Sequence, residues 1–233
     1  MMRTWFYCLL KIFFIYSCLF MASSGQDVKK FNSSFERSVH KYGKYDSTAG
    51  DVYYTPDKII LNVKKPITQW IEVFQNETRL YYPDQHKGIC LKSKQESFVN
   101  FINTFLASVR EDYNLTNQNF SLYENEFKED SLFSYWRSGQ TNVKFMLVHS
   151  NNRLVEVESR DEQNNYVTSV CFPEHLAYGG KFYPVKMVFS QVYKGEKTQE
   201  TVVLSSVRFN EPFPSEIENF KIPDDVELQV IEW

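Results

Sequence analysis

The chain has 233 residues, 17% of them aromatic and 24% charged, and its formal net charge at neutral pH is −3. This length is ordinary for an all-β domain with a leader segment. The slightly acidic balance argues against a nucleic-acid partner, because a protein that binds phosphate backbones needs a basic face.

The first 24 residues have the composition of a secretory signal peptide. Met1 to Arg3 forms a short basic start, and the apolar run Thr4–Met21 follows, interrupted by Lys11. Small residues then predict cleavage directly after Ser24. Removal of this leader also removes two basic residues, so the mature chain has a net charge of about −5. We expect an exported protein with a single domain over residues 25–233.

Two alternatives to a cleaved leader stay open. The apolar run could remain as an N-terminal anchor, although Lys11 near mid-bilayer would cost roughly 3 kcal/mol. The segment could also be a bacterial lipoprotein leader with the lipid on Cys18, although Tyr16 stands where small residues are usual. A lipidated Cys18 would anchor the protein to a membrane, whereas cleavage after Ser24 would release it.

The first third of the mature chain predicts one short helix and several strands. Residues 27–38 place Phe31 and Phe35 on one helical face. Strands are then predicted over residues 50–55, 58–64, 68–75 and 78–82, separated by turn residues. Within the second of these strands, alternation places Ile59, Leu61 and Val63 on one face.

A helix is predicted next, over residues 94–111. Its apolar residues recur at the spacing of one helical face: Phe98, Phe101, Ile102, Phe105, Leu106 and Val109. Ser93 and Glu96 have the spacing of a capping box. This helix could simply pack on a sheet, or it could cover a hydrophobic cavity. The spacing alone does not separate the two, because a cavity wall and a packed core use the same residue types.

The second half of the chain is mostly predicted strand. A weaker helical or irregular stretch spans residues 122–136, and strands follow over 143–149, 154–159, 166–172, 181–193 and 198–210. Asn151-Asn152 and Gly195 mark hairpin turns. The sum is a mainly β (α+β) chain of nine or ten antiparallel strands with one inserted helix. Strong curvature would turn such a sheet into an open half-barrel with the helix across its mouth.

Chemical motifs are scarce. The four histidines (His40, His86, His149 and His175) are far apart and show no metal-ligand spacing, and the sequence has no nucleophile elbow, phosphate loop or dinucleotide motif. We therefore expect no metal, no cofactor and no enzymatic activity. Cys90 and Cys171 remain in the mature chain. An exported chain could pair them, but their spacing does not show that they meet.

Several short motifs, in a fixed order, resemble one family. They are Gly50 to Pro56, the strand ending at Pro66, the run Tyr81 to Asp84, and the closing stretch Phe220 to Glu227 after the strand Val202–Phe209. Their order, behind an export signal and with helices between early and late strands, is similar to the periplasmic outer-membrane lipoprotein carrier proteins, the LolA family. The resemblance covers nearly all of the mature chain.

The resemblance implies an open half-barrel whose helices form a lid over an apolar cavity for lipoprotein acyl chains. It also implies a location in the periplasm. A monomeric carrier would take acylated lipoproteins from an inner-membrane lipoprotein-releasing transporter and pass them to an outer-membrane acceptor. The chain departs from the family at Thr55, because typical members carry an arginine before this proline, which is thought to hold the lid closed.

Under this interpretation the lipid-binding cavity would be lined by strand and helix residues of the early half of the chain. They are Val52, Tyr54, Ile59, Leu61, Val63, Trp70, Phe98, Phe101, Ile102, Phe105 and Leu106. A one-residue slip in a strand would invert its face. Two alternatives stay open: another lipid- or glycolipid-binding half-barrel, and a regulatory interaction module of the cell envelope with the same fold.

Overall fold

The computed structural model describes residues 28–41, 43–161, 163, 166–193 and 195–232. The predicted leader, its cleavage point after Ser24 and Cys18 lie outside the described residues. Within the described part of the chain, no helix combines the length and the hydropathy needed to cross a membrane.

Fourteen strands and two α-helices make up the described regular structure. The strands are β1 (Phe31–Lys41), β2 (Lys44–Tyr54), β3 (Ile59–Lys65), β4 (Gln69–Val73), β5 (Thr78–Tyr82), β6 (Lys87–Leu91), β7 (Phe120–Lys128), β8 (Ser131–Ser138), β9 (Val143–Ser150), β10 (Arg153–Asp161), β11 (Tyr166–Tyr178), β12 (Lys181–Tyr193), β13 (Glu196–Phe209) and β14 (Leu228–Ile231). The helices are α1 (Glu96–Ala107) and α2 (Ser215–Glu218), and short 3-10 turns cover Pro83–Gln85 and Thr116–Gln118.

All fourteen strands belong to one curved, unclosed sheet. The order across the sheet is β14-β6-β5-β4-β3-β2-β1-β13-β12-β11-β10-β9-β8-β7, so β1 lies in the middle and pairs with both β2 and β13. Every neighbouring pair is antiparallel except β14 and β6, which run parallel. The predicted fold class is confirmed, and the number of strands exceeds the nine or ten expected.

The sheet has an inner face, which carries α1, and an outer face on the opposite side. Alternate strand residues point to the inner face and are buried there, as Ile59, Leu61 and Val63 of β3 show. From the helix side, Val99, Ile102 and Phe105 are completely buried against them. The hydrophobic core therefore lies between α1 and the inner face.

The short helix predicted over residues 27–38 is wrong, because this segment forms strand β1. Phe31, Ser33 and Phe35 are all buried, which is the every-second-residue pattern of a strand. Phe31 and Phe35 are four residues apart, a spacing that fits both a helix face and a strand face. Hydrogen-bonded pairing on both sides favours the strand, since β1 pairs with β2 and with β13 along its length.

The stretch 122–136 is also strand, in β7 and β8, and not a helix. As the last strand of the sheet, β7 has no buried residue, so it lacks the alternation that would predict it. The helix α1 is shorter than predicted, and the capping box is wrong. Gln95 is the N-cap residue, without a side-chain capping bond. Ser93 instead accepts a hydrogen bond from the Gln95 side chain (2.7 Å).

The C-terminal segment between β13 and β14 covers part of the outer face. Phe220 stacks on Trp70 with ring centroids 4.3 Å apart, and Phe213 meets Tyr53 edge-on at 5.5 Å. Ile217 of α2 is buried beneath the segment. The chain then enters β14, where the absence of a side chain at Gly88 lets Leu228 approach β6 closely. Both faces of β3 and β4 are thus covered, the inner one by α1 and the outer one by this segment.

Candidate ligand-binding face

Most of the residues predicted to line a cavity lie together on the inner face. Seven of them are buried in the core: Val52, Ile59, Leu61, Val63, Phe101, Ile102 and Phe105. Tyr54, Phe98 and Leu106 are partly buried and pack against the same core. Trp70 lies on the outer face under Phe220. It is paired with Asn62, one residue out of phase with the inward-facing Leu61.

Phe105 of α1 is the centre of an aromatic cluster on the inner face. Its ring centroid lies 4.8 Å from Phe31, 5.2 Å from Tyr183 and 6.2 Å from Phe209. A second contact joins the helix to β1, between Phe101 and Phe35 at 5.5 Å. In this structure the side chains of α1 fill the space between the helix and the sheet. The helix-covered part of the inner face is therefore a packed core.

The sequence interpretation did not include the strand partners of this cluster. Tyr183 and Phe209 come from the late strands β12 and β13, and both are buried. Their aromatic side chains within two predicted strands were the available signal. The sequence could not show that β13 lies beside β1 and β12 beside β13, because the pairing of β1 with β13 joins the two ends of the chain.

A buried threonine links the start of α1 to the sheet. The Thr78 hydroxyl donates to the Ser93 carbonyl (3.1 Å) and accepts from the Gln95 backbone N–H (3.0 Å). Thr55, which stands where the LolA family usually has arginine, bonds within its own turn. Its hydroxyl donates to the Lys58 carbonyl (3.0 Å) and accepts from the Lys58 N–H (3.2 Å). The observed hydrogen bonds of Thr55 therefore brace the β2–β3 turn, and those of Thr78 hold the helix.

Beyond α1, the inner face carries an open groove of about 690 Å³, which we name the β7–β9 groove. Its volume is within the range of small-molecule pockets. The groove is lined by Glu111, Asp112, Leu122, Asn125, Phe127, Asp130, Leu132, Ser134, Trp136, His149, Asn151 and Asn152. Its floor is continuous with the core, because Trp136 and Phe145 pack against the core cluster. The sequence interpretation missed the groove because it predicted no strands over residues 122–136.

Two buried nitrogens at this groove have no hydrogen-bond partner among the described residues. They are Nε1 of Trp136 and Nδ1 of His149. Burial lowers the pKa of His149, and the nearby Glu111 carboxylate opposes this effect only in part. The lowered pKa favours a neutral imidazole. The groove thus combines apolar side chains and carboxylates, and two of its lining residues each carry a buried, unpaired nitrogen.

The remaining chemical groups form no cluster at this face. Among the described residues, no group of three or more His, Cys, Asp or Glu side chains is placed to hold a metal ion. Cys90 on β6 and Cys171 on β11 are both free thiols, so the structure contains no bond between them. Burial, reinforced by the charge of Glu156, raises the pKa of Cys171 and favours its protonated thiol.

Comparison with known proteins identifies the fold. No protein-family model matches the chain, and no curated protein sequence matches it. Solved structures do match, among them the following three. A DUF1329 family protein from Desulfovibrio piger matches with a TM-score of 0.57 and 11% identity, covering 86% of this chain and 94% of that one.

Two further similar structures are a LolA superfamily protein and a lipoprotein-sorting protein domain. A LolA superfamily protein from Nitrosomonas europaea matches with a TM-score of 0.53 and 14% identity, over 87% of this chain and 96% of that one. A domain from Vibrio parahaemolyticus, described as an outer membrane lipoprotein-sorting protein, matches with a TM-score of 0.55 and 10% identity, over 83% and 91%. At these identities the likeness establishes the fold.

Proposed function

From its LolA-like fold, we propose that this chain is a periplasmic carrier for acylated lipoproteins. The acyl chains would bind between α1 and the inner face of the sheet. The observation that carries the proposal is the inner face itself, where apolar residues extend from the helix-covered core into the open β7–β9 groove. An acyl chain crossing an aqueous compartment needs such shelter, which is worth about 0.8 kcal/mol for each buried methylene.

Binding under α1 requires the helix to move away from the sheet. The cluster around Phe105 occupies that space in this structure, and its contacts with Phe31 and Tyr183 are non-directional apolar contacts. Acyl chains can replace these apolar contacts, whereas the two Thr78 hydrogen bonds to residues 93 and 95 oppose the movement of the helix. The β7–β9 groove offers a first contact site before the helix moves.

The proposed cycle needs two membrane partners and no covalent step. An inner-membrane lipoprotein-releasing transporter would load the protein, and an outer-membrane acceptor would unload it. The carrier would act as a monomer, with the leader removed near Ser24. The proposed site comprises the predicted inward-facing residues, such as Ile59, Leu61 and Phe101, without Trp70.

Extraction of bound lipid tests the carrier hypothesis. The protein is purified without detergent from the exported fraction of its source cell, and solvent extracts are analysed by mass spectrometry. We expect acyl species in stoichiometric amount. Leu106→Glu, at a partly buried position of α1, should lower the amount, whereas Val203→Glu on the outer face should not. The absence of acyl species from the folded wild-type protein would refute a carrier function.

Delivery is tested separately by depletion of the protein in its source cell. A lipoprotein carrier predicts that lipoproteins accumulate at the inner membrane. If acyl species are bound but lipoproteins keep their normal distribution, the protein binds lipid without delivering lipoproteins. That outcome would favour the alternative of a lipid- or glycolipid-binding half-barrel.

A further inference from the structure

The β7–β9 groove presents apolar side chains to solvent at the edge of the sheet. Phe127 is 79% exposed and Leu122 is 44% exposed, both on β7, the last strand of the sheet. Phe127 is paired across the ladder with Leu132, and Leu122 with Trp136, so the four side chains form one apolar lining. An exposed lining of this kind is typical of a surface that a ligand covers.

The charged side chains around this lining are acidic. Glu111 and Asp112 come from the segment after α1, and Asp130 comes from the turn between β7 and β8. Burial raises the pKa of Asp112, but hydrogen bonds from the Thr116 side chain and from the Asn114 and Thr116 backbone N–H groups outweigh it, so the pKa is lowered and the charged form is favoured. Among the described residues, neither lysine nor arginine lines the groove. A negatively charged headgroup would therefore meet carboxylates without a compensating cation.

The unpaired nitrogens point to the kind of headgroup that would suit the groove. Trp136 Nε1–H can only donate, so its missing partner is an acceptor. His149 Nδ1 can donate or accept, depending on the tautomer. A buried donor without an acceptor is costly, and an ester carbonyl or a glycerol hydroxyl on the ligand would remove that cost. Both groups are uncharged and lie directly beside an acyl chain in an acylglycerol.

We propose that the β7–β9 groove binds the uncharged acylglycerol group of a lipid-modified protein and discriminates against anionic lipids. The acyl chain would lie along Leu122, Phe127 and Leu132. The ester carbonyl would accept from Trp136 Nε1. This inference rests on the proposed carrier function. It adds a second site, outside the helix-covered core, and a preference for uncharged headgroups.

The test compares amphiphiles whose hydrocarbon chains are equal in length. Monolauroylglycerol, laurate and dodecyl phosphate are titrated, below the concentrations at which they form micelles, into delipidated protein with calorimetric detection. We expect monolauroylglycerol to bind at least tenfold more tightly than either anion. A synthetic peptide carrying an acylglyceryl group should displace it, and the same peptide without the lipid should not.

Variants of groove residues test whether the preference for an uncharged headgroup arises in the β7–β9 groove. Trp136→Phe keeps the ring and removes the donor, so it should weaken monolauroylglycerol binding about fivefold to tenfold. The double variant Glu111→Gln/Asp130→Asn should reduce the ratio of monolauroylglycerol affinity to laurate affinity. Leu132→Asp should abolish binding, with Val203→Asp on the outer face as the matched control. Thermal unfolding of each variant verifies that it is folded.

The outcomes separate this inference from the carrier proposal. If the anions bind as tightly as the ester, or if the groove variants leave binding unchanged while bound acyl species are still extracted from native protein, the groove inference is overturned and the carrier proposal stands. If native protein contains no acyl species and none of the amphiphiles binds, both are overturned.

Discussion

The ring of Phe105 on α1 packs against the ring of Phe31 on β1, with centroids 4.8 Å apart, and both side chains are almost completely buried. This contact joins the inserted helix to the central strand of the sheet. Phe105→Ala should lower the free energy of unfolding by about 3–5 kcal/mol, because it leaves a cavity at the centre of the core. Chemical denaturation measures the change. Phe98→Ala, at a partly buried position on the same helix, is the matched control and should cost less. Equal losses in the two variants would contradict the central role of Phe105.

The Thr78 hydroxyl should control how readily α1 separates from the sheet. Thr78→Val keeps the shape of the side chain and removes both hydrogen bonds to residues 93–95, at an expected cost of about 1–3 kcal/mol. Hydrogen exchange should become faster at the first turn of α1, since local opening needs less free energy. Thr141→Val, at an exposed position, serves as the control. Unchanged exchange in the first turn would show that the apolar contacts hold the helix without this link.

Stability should fall on the acidic side because of two partly buried histidines. Burial lowers the pKa of His149 and of His175, for which the positive charge of Arg153 acts in the same direction. The unfolded chain titrates near the ordinary value of about 6.5 and so binds more protons than the native protein below that pH. Their contribution to stability is therefore complete above about 6.5. It is lost as the pH falls through that value towards the lowered native pKa.

Denaturation midpoints at mildly acidic and mildly alkaline pH measure this effect. The double variant His149→Gln/His175→Gln should lose less stability on acidification than the wild type, whereas His40→Gln, at an exposed position, should behave like the wild type. Glu156, whose pKa burial raises, acts in the opposite direction but is present in every variant and cancels in the comparison. An equal acid loss in the double variant would contradict the assignment.

Trp70 should stabilise the C-terminal segment and should not contribute to lipid binding. Its ring stacks on Phe220 at 4.3 Å on the outer face, away from the aromatic cluster of Phe105. Trp70→Ala should increase hydrogen exchange over residues 213–226 and leave the amount of co-purified acyl species unchanged. Phe101→Ala, on the inner face, should reduce that amount. A loss of bound lipid in Trp70→Ala would contradict this prediction and indicate that Trp70 belongs to the lipid-binding site.

Local residue patterns were sufficient to predict the best-defined elements. The alternation of Ile59, Leu61 and Val63 predicts β3, and the helical spacing of Phe98 to Leu106 predicts α1, because each element buries one face and its period is visible in the sequence. The turn at Asn151-Asn152 is also local, since both residues adopt positive φ. The mainly β fold class follows from these signals.

Other features depended on contacts between distant parts of the chain. The spacing of Phe31 and Phe35 fits two periods, and only the pairing of β1 with β2 and β13 selects the strand. Strand β7 lies at the sheet edge and has no buried face to impose alternation, so neither it nor the groove beside it was predictable. An apolar residue, Trp70, can stand on the outer face of β4 because the C-terminal segment covers it there. This contact joins residues about 150 positions apart.

The sequence by itself therefore determined which segments bury a face and that apolar surface outweighs chemical motifs. The tertiary structure decided what covers each face. It assigns the helix residues to a packed core around Phe105, places Trp70 on the outer side, and leaves the groove at Phe127 open. The physical reason is that hydrophobic burial is non-directional: the residue pattern specifies that a surface is covered, and only long-range strand pairing specifies by what.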